Sequence, residues 1–168
     1  MPPCSLTARQ RSSSICSRDD SLPHAKGILG FSALTLVGLL GLSFVIARIA
    51  YMESSQVSRG RELYAGHCAS CHGAQLQGQP DWQTPKPSGR LPAPPHDRTG
   101  HTWHHSDTEL IRITKDGMSA IVPGHVSDMP AFSRVLSDED ILVVLAFIKS
   151  TWPRAERDYQ EMRSRDRN

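Results

Sequence analysis

The chain has 168 residues, and its 19 basic and 17 acidic side chains give a formal net charge of +2. This near-balance argues against nucleic acid as a partner, because nucleic-acid-binding domains carry a strongly basic surface. Aromatic residues make up only 6% of the chain, so the apolar core of one small domain is thin and a bound cofactor would add to it.

The N-terminal part predicts a tail followed by a membrane anchor. Residues 1–26 are polar and predict a disordered tail, in which Cys4 and Cys16 are interpreted as unpaired thiols. No charged side chain occurs between Gly27 and Ala47, which is the length of one membrane-spanning helix. We therefore expect an anchor over 27–50. A cleaved signal peptide is the alternative, although its apolar core usually has only about 7–15 residues.

A folded domain is predicted over residues 51–153. Its first helix is expected over 54–67, where Val57, Leu63 and Tyr64 form a partial apolar stripe and Gly60 permits a close helix crossing.

The motif Cys68-Ala69-Ser70-Cys71-His72 follows directly and reads C-x-x-C-H. This spacing is typical of covalent c-type haem attachment: two thiols add to the porphyrin vinyl groups, and the next histidine ligates the iron. A thioredoxin-like pair would need a βαβ pattern, which is absent, and a zinc site would need a second pair of Cys or His ligands. Because the motif occurs once, we expect one haem c.

A long loop is predicted over residues 73–105, which are rich in Gly, Pro and His and show no period. Loops of this length in a compact domain are usually functional or disordered, and wrapping a cofactor would explain an ordered one. Ser106 and Glu109 then form a capping-box pattern that opens a helix, and Gly117 can end it.

A second capping box, Ser137 with Asp140, opens a strongly apolar helix that Pro153 stops. Residues 154–168 are dense in both signs of charge and predict a solvated extension that is helical in part. Docking of this tail to a partner by its charges is the alternative.

Met129 is the candidate for the second axial ligand of the haem iron. It lies in an extended segment before the last apolar helix, and Pro130 constrains the backbone there. A thioether ligand favours reduced iron and raises the reduction potential. The alternatives are an open iron site or one of the other methionines and histidines, namely Met52, Met118, Met162, His96, His101, His104, His105 and His125.

Over about residues 58–152 the chain resembles the class I c-type cytochromes. The similarity rests on Gly60-x-x-x-Tyr64-x-x-x-Cys68-x-x-Cys71-His72-Gly73, on Met129-Pro130 and on Val144-x-x-Phe147, where the family usually has tyrosine in place of phenylalanine. The resemblance implies an all-α cytochrome c fold wrapped around one covalently attached haem. It also implies that the first and last helices of the domain cross at the glycine.

The segment from Leu91 to His105 is similar to a subgroup of small membrane-anchored bacterial cytochromes. In the family, a loop proline carbonyl accepts the free N–H of the proximal histidine, and Pro94 is our candidate for that residue. Arg90 and Trp103 are candidates for hydrogen bonds to the haem propionates. The resemblance further implies a haem domain on the outer, periplasmic face of the cytoplasmic membrane.

These expectations together describe a one-electron carrier of a respiratory chain with unidentified redox partners, and not an enzyme by itself. A haem-bearing subunit of an oxidase or dehydrogenase complex, and an open-site haem peroxidase or sensor, are the alternatives. A copper-linked cytochrome is another, because imidazoles at the spacing of His101, His104 and His105, with His96 upstream, suit copper or zinc.

Overall fold

The structure is a computed structural model that describes the backbone of residues 25–166 and the side chains of residues 35–166. The predicted tail, with Cys4 and Cys16, lies almost wholly outside the described residues. The chain divides into two compact units, residues 1–44 and residues 45–168. The second unit contains every candidate haem residue and is described by itself below.

The described residues are helical and contain no strand, which confirms the predicted fold class. Five α-helices follow one another: α1 Ala25–His67, α2 Ala69–His72, α3 Asp107–Asp116, α4 Asp138–Ser150 and α5 Arg154–Arg165. Two short 3₁₀ turns, Thr102–His104 and Met118–Ala120, flank α3. The rest of the second unit consists of turns and loops, including most of residues 73–105, as predicted.

The predicted anchor and the predicted first domain helix are parts of one helix, α1. Within it, residues 35–67 are long and apolar enough to cross a membrane by length and composition, and a signal sequence would meet the same criteria. Tyr51-Met52-Glu53 contains no helix breaker, so the helix continues through these residues.

Both predicted capping boxes are present and fix where α3 and α4 begin. Glu109 N–H donates to Ser106 Oγ at 3.3 Å, and Ser106 N–H donates to Glu109 Oε2 at 3.0 Å. Ser137 and Asp140 make the same reciprocal pair at the start of α4. Gly117 ends α3 with φ +86°, in the left-handed region that favours glycine.

Two apolar clusters form the core of the second unit. The first joins α1 to α4, and its buried members are Tyr64, Leu76, Val144, Phe147, Ile148 and Trp152. The second joins α3 to α4, and its buried members are Leu110, Phe132, Leu136, Ile141 and Leu145. Leu63 packs against both clusters, Cys68 and Trp103 pack against the first, and Met129 packs against the second.

At Gly60, α1 packs directly against the backbone of α4. A Cβ atom at this position would lie 1.9 Å from Val143 O and 3.0 Å from Phe147 Cβ, far inside normal contact. Only a residue without a side chain allows this approach. The crossing glycine implied by the resemblance is therefore in contact with the helix that carries Val144 and Phe147.

The charged tail forms α5, and most residues of this helix are exposed. Gln160 departs from that pattern, since it is only 3% exposed. The helix is held by hydrogen bonds: Gln160 Nε2 donates to His105 O at 3.2 Å, and Arg163 Nε donates to His104 O at 3.3 Å. A mixed-charge sequence conceals such a contact, because the groups that receive these bonds are main-chain carbonyls.

Candidate haem-binding site

The two motif cysteines lie where α1 gives way to the single turn of α2. The chain stays helical through the junction, since Cys68 N–H donates to Tyr64 O at 2.9 Å and His72 N–H donates to Cys68 O at 2.9 Å. Cys68 is partly buried and Cys71 is exposed, and both are free thiols. Burial, with a smaller contribution from Cys71, raises the pKa of the Cys68 thiol to about 11.

His72 is the buried residue of the motif, with 7% of its surface exposed. Its Nδ1 lies 2.8 Å from Pro94 O, and because a carbonyl only accepts, Nδ1 carries the donated proton. The lone pair of Nε2 is then available for a metal. Burial lowers the pKa of His72 while the bond to Pro94 raises it, so the neutral, ligating form is favoured.

The loop that presents Pro94 is held against the motif by Gly78. Gly78 has φ +69°, and a Cβ atom there would lie 2.5 Å from Pro95 N. Its N–H donates to His72 O at 2.7 Å, so it joins the motif to the proline segment. Gln79 and Ala93 pair beside it. Gly78 is a site residue that we did not predict, although its place between the motif and a proline-rich loop is the signal that could have identified it.

His96 adds a second constraint on the proximal histidine. Its ring stacks on that of His72, with centroids 4.0 Å apart and planes inclined by 24°. His96 Nδ1 lies 2.8 Å from Thr102 Oγ1, and Trp152 Nε1 donates to His96 O at 2.7 Å. Burial, followed by the nearby His72 and His101, lowers the pKa of His96 well below its usual value. Although we considered His96 as an axial ligand, the structure places it against the proximal one.

Trp103 carries a polar group that the protein leaves unsatisfied. Its Nε1 is buried, and the described residues give it no hydrogen-bond partner. Buried indole N–H groups normally find an acceptor. An acceptor supplied by a bound group would satisfy it, which is what the predicted contact with a haem propionate requires.

Arg90, the other predicted propionate ligand, has a partner in the protein. Its Nη1 lies 2.5 Å from Asp128 Oδ1, and Lys86 Nζ lies 3.3 Å from Asp128 Oδ2. Hydrogen bonds from Arg90 and then Lys86 lower the pKa of Asp128. Arg90 therefore tethers the residue next to Met129. Met129 itself is partly buried against the second apolar cluster, and its N–H donates to Ser127 Oγ at 3.1 Å.

Three further histidines, His101, His104 and His105, lie against aromatic rings or one another. His101 stacks on Trp82 at 5.4 Å and meets His105 edge-on at 5.4 Å, while His104 packs on Trp103 at 3.7 Å. Across the described residues, no group of three or more His, Cys, Asp or Glu side chains is arranged to hold a metal ion. The geometry therefore gives the copper hypothesis no support.

The residues present fit a haem c. Two thiols lie in one helical turn, a buried histidine keeps one ring nitrogen for iron, and an unsatisfied indole N–H lies beside the same apolar cluster as Cys68. The group would be held by thioethers at Cys68 and Cys71 and by the imidazole of His72.

Comparison with known proteins agrees with this geometry. Searches among curated proteins and among solved structures found no match. A family model described as "Cytochrome c" matches residues 57–152, more than half of the chain and all of the candidate site. The family supports a haem-binding electron carrier, and the chain belongs to the cytochrome c family.

Proposed function

We propose that the protein is a membrane-anchored one-electron carrier whose single haem c is attached through Cys68 and Cys71 and ligated by His72 and Met129. The observation that carries the proposal is the bond from His72 Nδ1 to Pro94 O at 2.8 Å. It gives the motif histidine the tautomer and the fixed ring that an axial ligand needs. When bound, the haem supplies the one-electron couple, and the protein's residues hold and shield it.

Met129 is supported as the second ligand by how its segment is held. Asp128 is clamped by Arg90 and Lys86, and Met129 is partly buried. Pro130 restricts the backbone on its other side. Met118, by contrast, lies in a short 3₁₀ turn directly after α3. A ligand segment fixed on both sides changes little when the iron changes oxidation state, which suits a carrier.

Trp103 and Arg90 receive different roles. Trp103 Nε1–H is the donor for a propionate, because the described part of the chain offers it no acceptor. Arg90 acts through Asp128 on the methionine segment.

Optical and near-infrared spectroscopy of the full chain, produced with covalent haem and purified in detergent, tests the function. We expect a low-spin spectrum with the weak near-infrared band of methionine-ligated ferric haem. Met129→Ala should abolish that band, whereas the matched control Met118→Ala should retain it. A high-spin spectrum that binds carbon monoxide readily would refute the carrier and favour an open-site peroxidase or sensor.

The membrane location rests on the apolar part of α1 and on the family's site of haem attachment. We propose a single-pass protein of the cytoplasmic membrane with the haem domain facing the periplasm. Protease added to intact spheroplasts should digest the haem domain. Protection of that domain, or its recovery as a soluble fragment without residues 27–50, would contradict the anchor or its orientation.

A further inference from the structure

Helix α5 lies outside the part of the chain that matches the family, which ends at residue 152. We propose that α5 is a positioning element for the haem, which holds Trp103 so that its indole N–H is kept for a propionate. This inference rests on the proposed haem-binding function and extends it to a helix that the family match does not cover.

The first observation is the direct contact of α5 with Trp103 and its neighbour. The Tyr159 ring meets the Trp103 ring edge-on, with centroids 5.5 Å apart and planes at 83°. The same tyrosine contacts His104 at 5.6 Å. Trp103 is thus packed between the first apolar cluster and a side chain of α5.

The second observation is that α5 bonds to the backbone of the segment that carries Trp103. Arg163 Nε donates to His104 O and Gln160 Nε2 donates to His105 O, at 3.3 and 3.2 Å. These carbonyls belong to the two residues that follow Trp103. The helix therefore restrains both the ring of Trp103 and the main chain that determines where the ring lies.

The third observation is the polarity of the contact. Gln160 is buried, and its Nε2 also lies 2.6 Å from Asp107 Oδ1 and 3.0 Å from Ser164 Oγ, so its two N–H groups are shared among three acceptors. Asp107 N–H at the start of α3 in turn donates to Ser164 Oγ at 3.0 Å. A polar network around a buried amide favours one arrangement over others, since displacing that amide would cost it its acceptors. Such an interface is suited to fixing a geometry.

The restrained indole has one unsatisfied group, Trp103 Nε1–H. Bonded to an ionised propionate, this N–H would reduce the negative charge felt by the iron and raise the reduction potential. Loosening α5 should therefore lower the potential through Trp103.

The test compares reduction potentials of the full-length haem protein in detergent, measured by spectroelectrochemistry over a range of pH. The variants are Tyr159→Ala with Gln160→Ala, Trp103→Phe, and the three combined, and none of them changes a charge. Ala155→Ser is the matched control, because Ala155 is exposed on the same helix. Tyr159→Phe keeps the ring that contacts Trp103, so its reduction potential should equal that of the native protein.

We expect the α5 pair and Trp103→Phe to lower the potential, and the combined variant to fall no further than Trp103→Phe alone. The propionate inflection should move to higher pH in each of them. An unchanged potential in the α5 pair, even with lower stability, would overturn the inference. So would a shift that adds fully to that of Trp103→Phe. If the variant with Tyr159→Ala and Gln160→Ala does not retain haem, Tyr159→Leu takes its place, because it keeps an apolar side chain and removes the ring. Its reduction potential is then compared, alone and combined with Trp103→Phe, in the same way.

Failure of the proposed function gives a different result. If the unaltered protein carries no covalent haem, the carrier proposal fails first. If haem is attached and the potentials do not respond to α5, only the role of α5 is refuted.

Discussion

The contact of Gly60 with α4 makes Gly60→Ala a sharp perturbation. The added Cβ would lie 1.9 Å from Val143 O, whereas close contacts normally begin near 3.4 Å. The two helices would have to separate by about 1.5 Å, which is the difference between these distances. Overpacking a core costs about 1–3 kcal/mol. Because the blocking atom belongs to a helix backbone and cannot rotate away, we expect a loss of about 3 kcal/mol.

Guanidinium unfolding of the detergent-solubilised haem protein, followed by haem absorbance, measures this loss. Gly66→Ala is the matched control on the same helix, since nothing lies within 4 Å of the Cβ atom it would add. There we expect a gain of about 0.5–1 kcal/mol from helix propensity. A Gly60→Ala protein within about 1 kcal/mol of the native one would refute the close crossing.

Three further predictions concern the site itself. In the haem-free chain at pH 8, alkylation followed by mass spectrometry should show Cys68 reacting about 10-fold more slowly than an ordinary thiol. A pKa of about 11 in place of 9.0 leaves about 100-fold less thiolate, and the greater nucleophilicity of the more basic thiolate offsets part of that loss. In paramagnetic NMR, His96→Ala should change the spread of haem methyl shifts by freeing the His72 ring, whereas His96→Phe should preserve it. Hydrogen bonds from Arg90 and Lys86 lower the pKa of Asp128, so its carboxylate stabilises the methionine segment at pH values above the usual pKa of an aspartate. This stabilisation is lost as the pH falls through the lowered pKa. Asp128→Asn lacks it, so its near-infrared band should disappear at a less acidic pH than that of the native protein.

Each of these predictions can fail in a defined way. Alkylation of Cys68 at an ordinary rate would contradict its burial. Equal spectra for the two His96 variants would remove any role for the stacked ring, and an unchanged acid midpoint in Asp128→Asn would show that the tether does not hold Met129.

Local signals explain what the sequence predicted well. The starts of α3 and α4 depend on Ser106 and Ser137, each of which bonds to a residue three positions later, so a short window contains the whole interaction. The C-x-x-C-H motif is similarly local. The all-helical class follows from the same short-range patterns together with the family resemblance.

Contacts between residues far apart in the chain explain what could not be predicted from the sequence. The ion pair of Arg90 with Asp128 joins residues 38 positions apart, and the contact of Gln160 with His105 joins residues 55 positions apart. No periodicity reports such pairs. In α5, three apolar side chains, Ala155, Tyr159 and Met162, stand at helical spacing among charged residues, which is only a weak signal of a packed helix.

Asp107 is the residue at which three helices meet. Its Oδ1 accepts hydrogen bonds from Lys149 of α4 and from Gln160 of α5. Asp107 is also the first residue of α3, and its N–H donates to Ser164 Oγ of α5. Undocking α5 would therefore remove two partners of Asp107 at the first turn of α3, Gln160 from its carboxylate and Ser164 from its N–H. The two regions should open as one cooperative unit, with amide protons in the first turn of α3 and throughout α5 exchanging at a common rate.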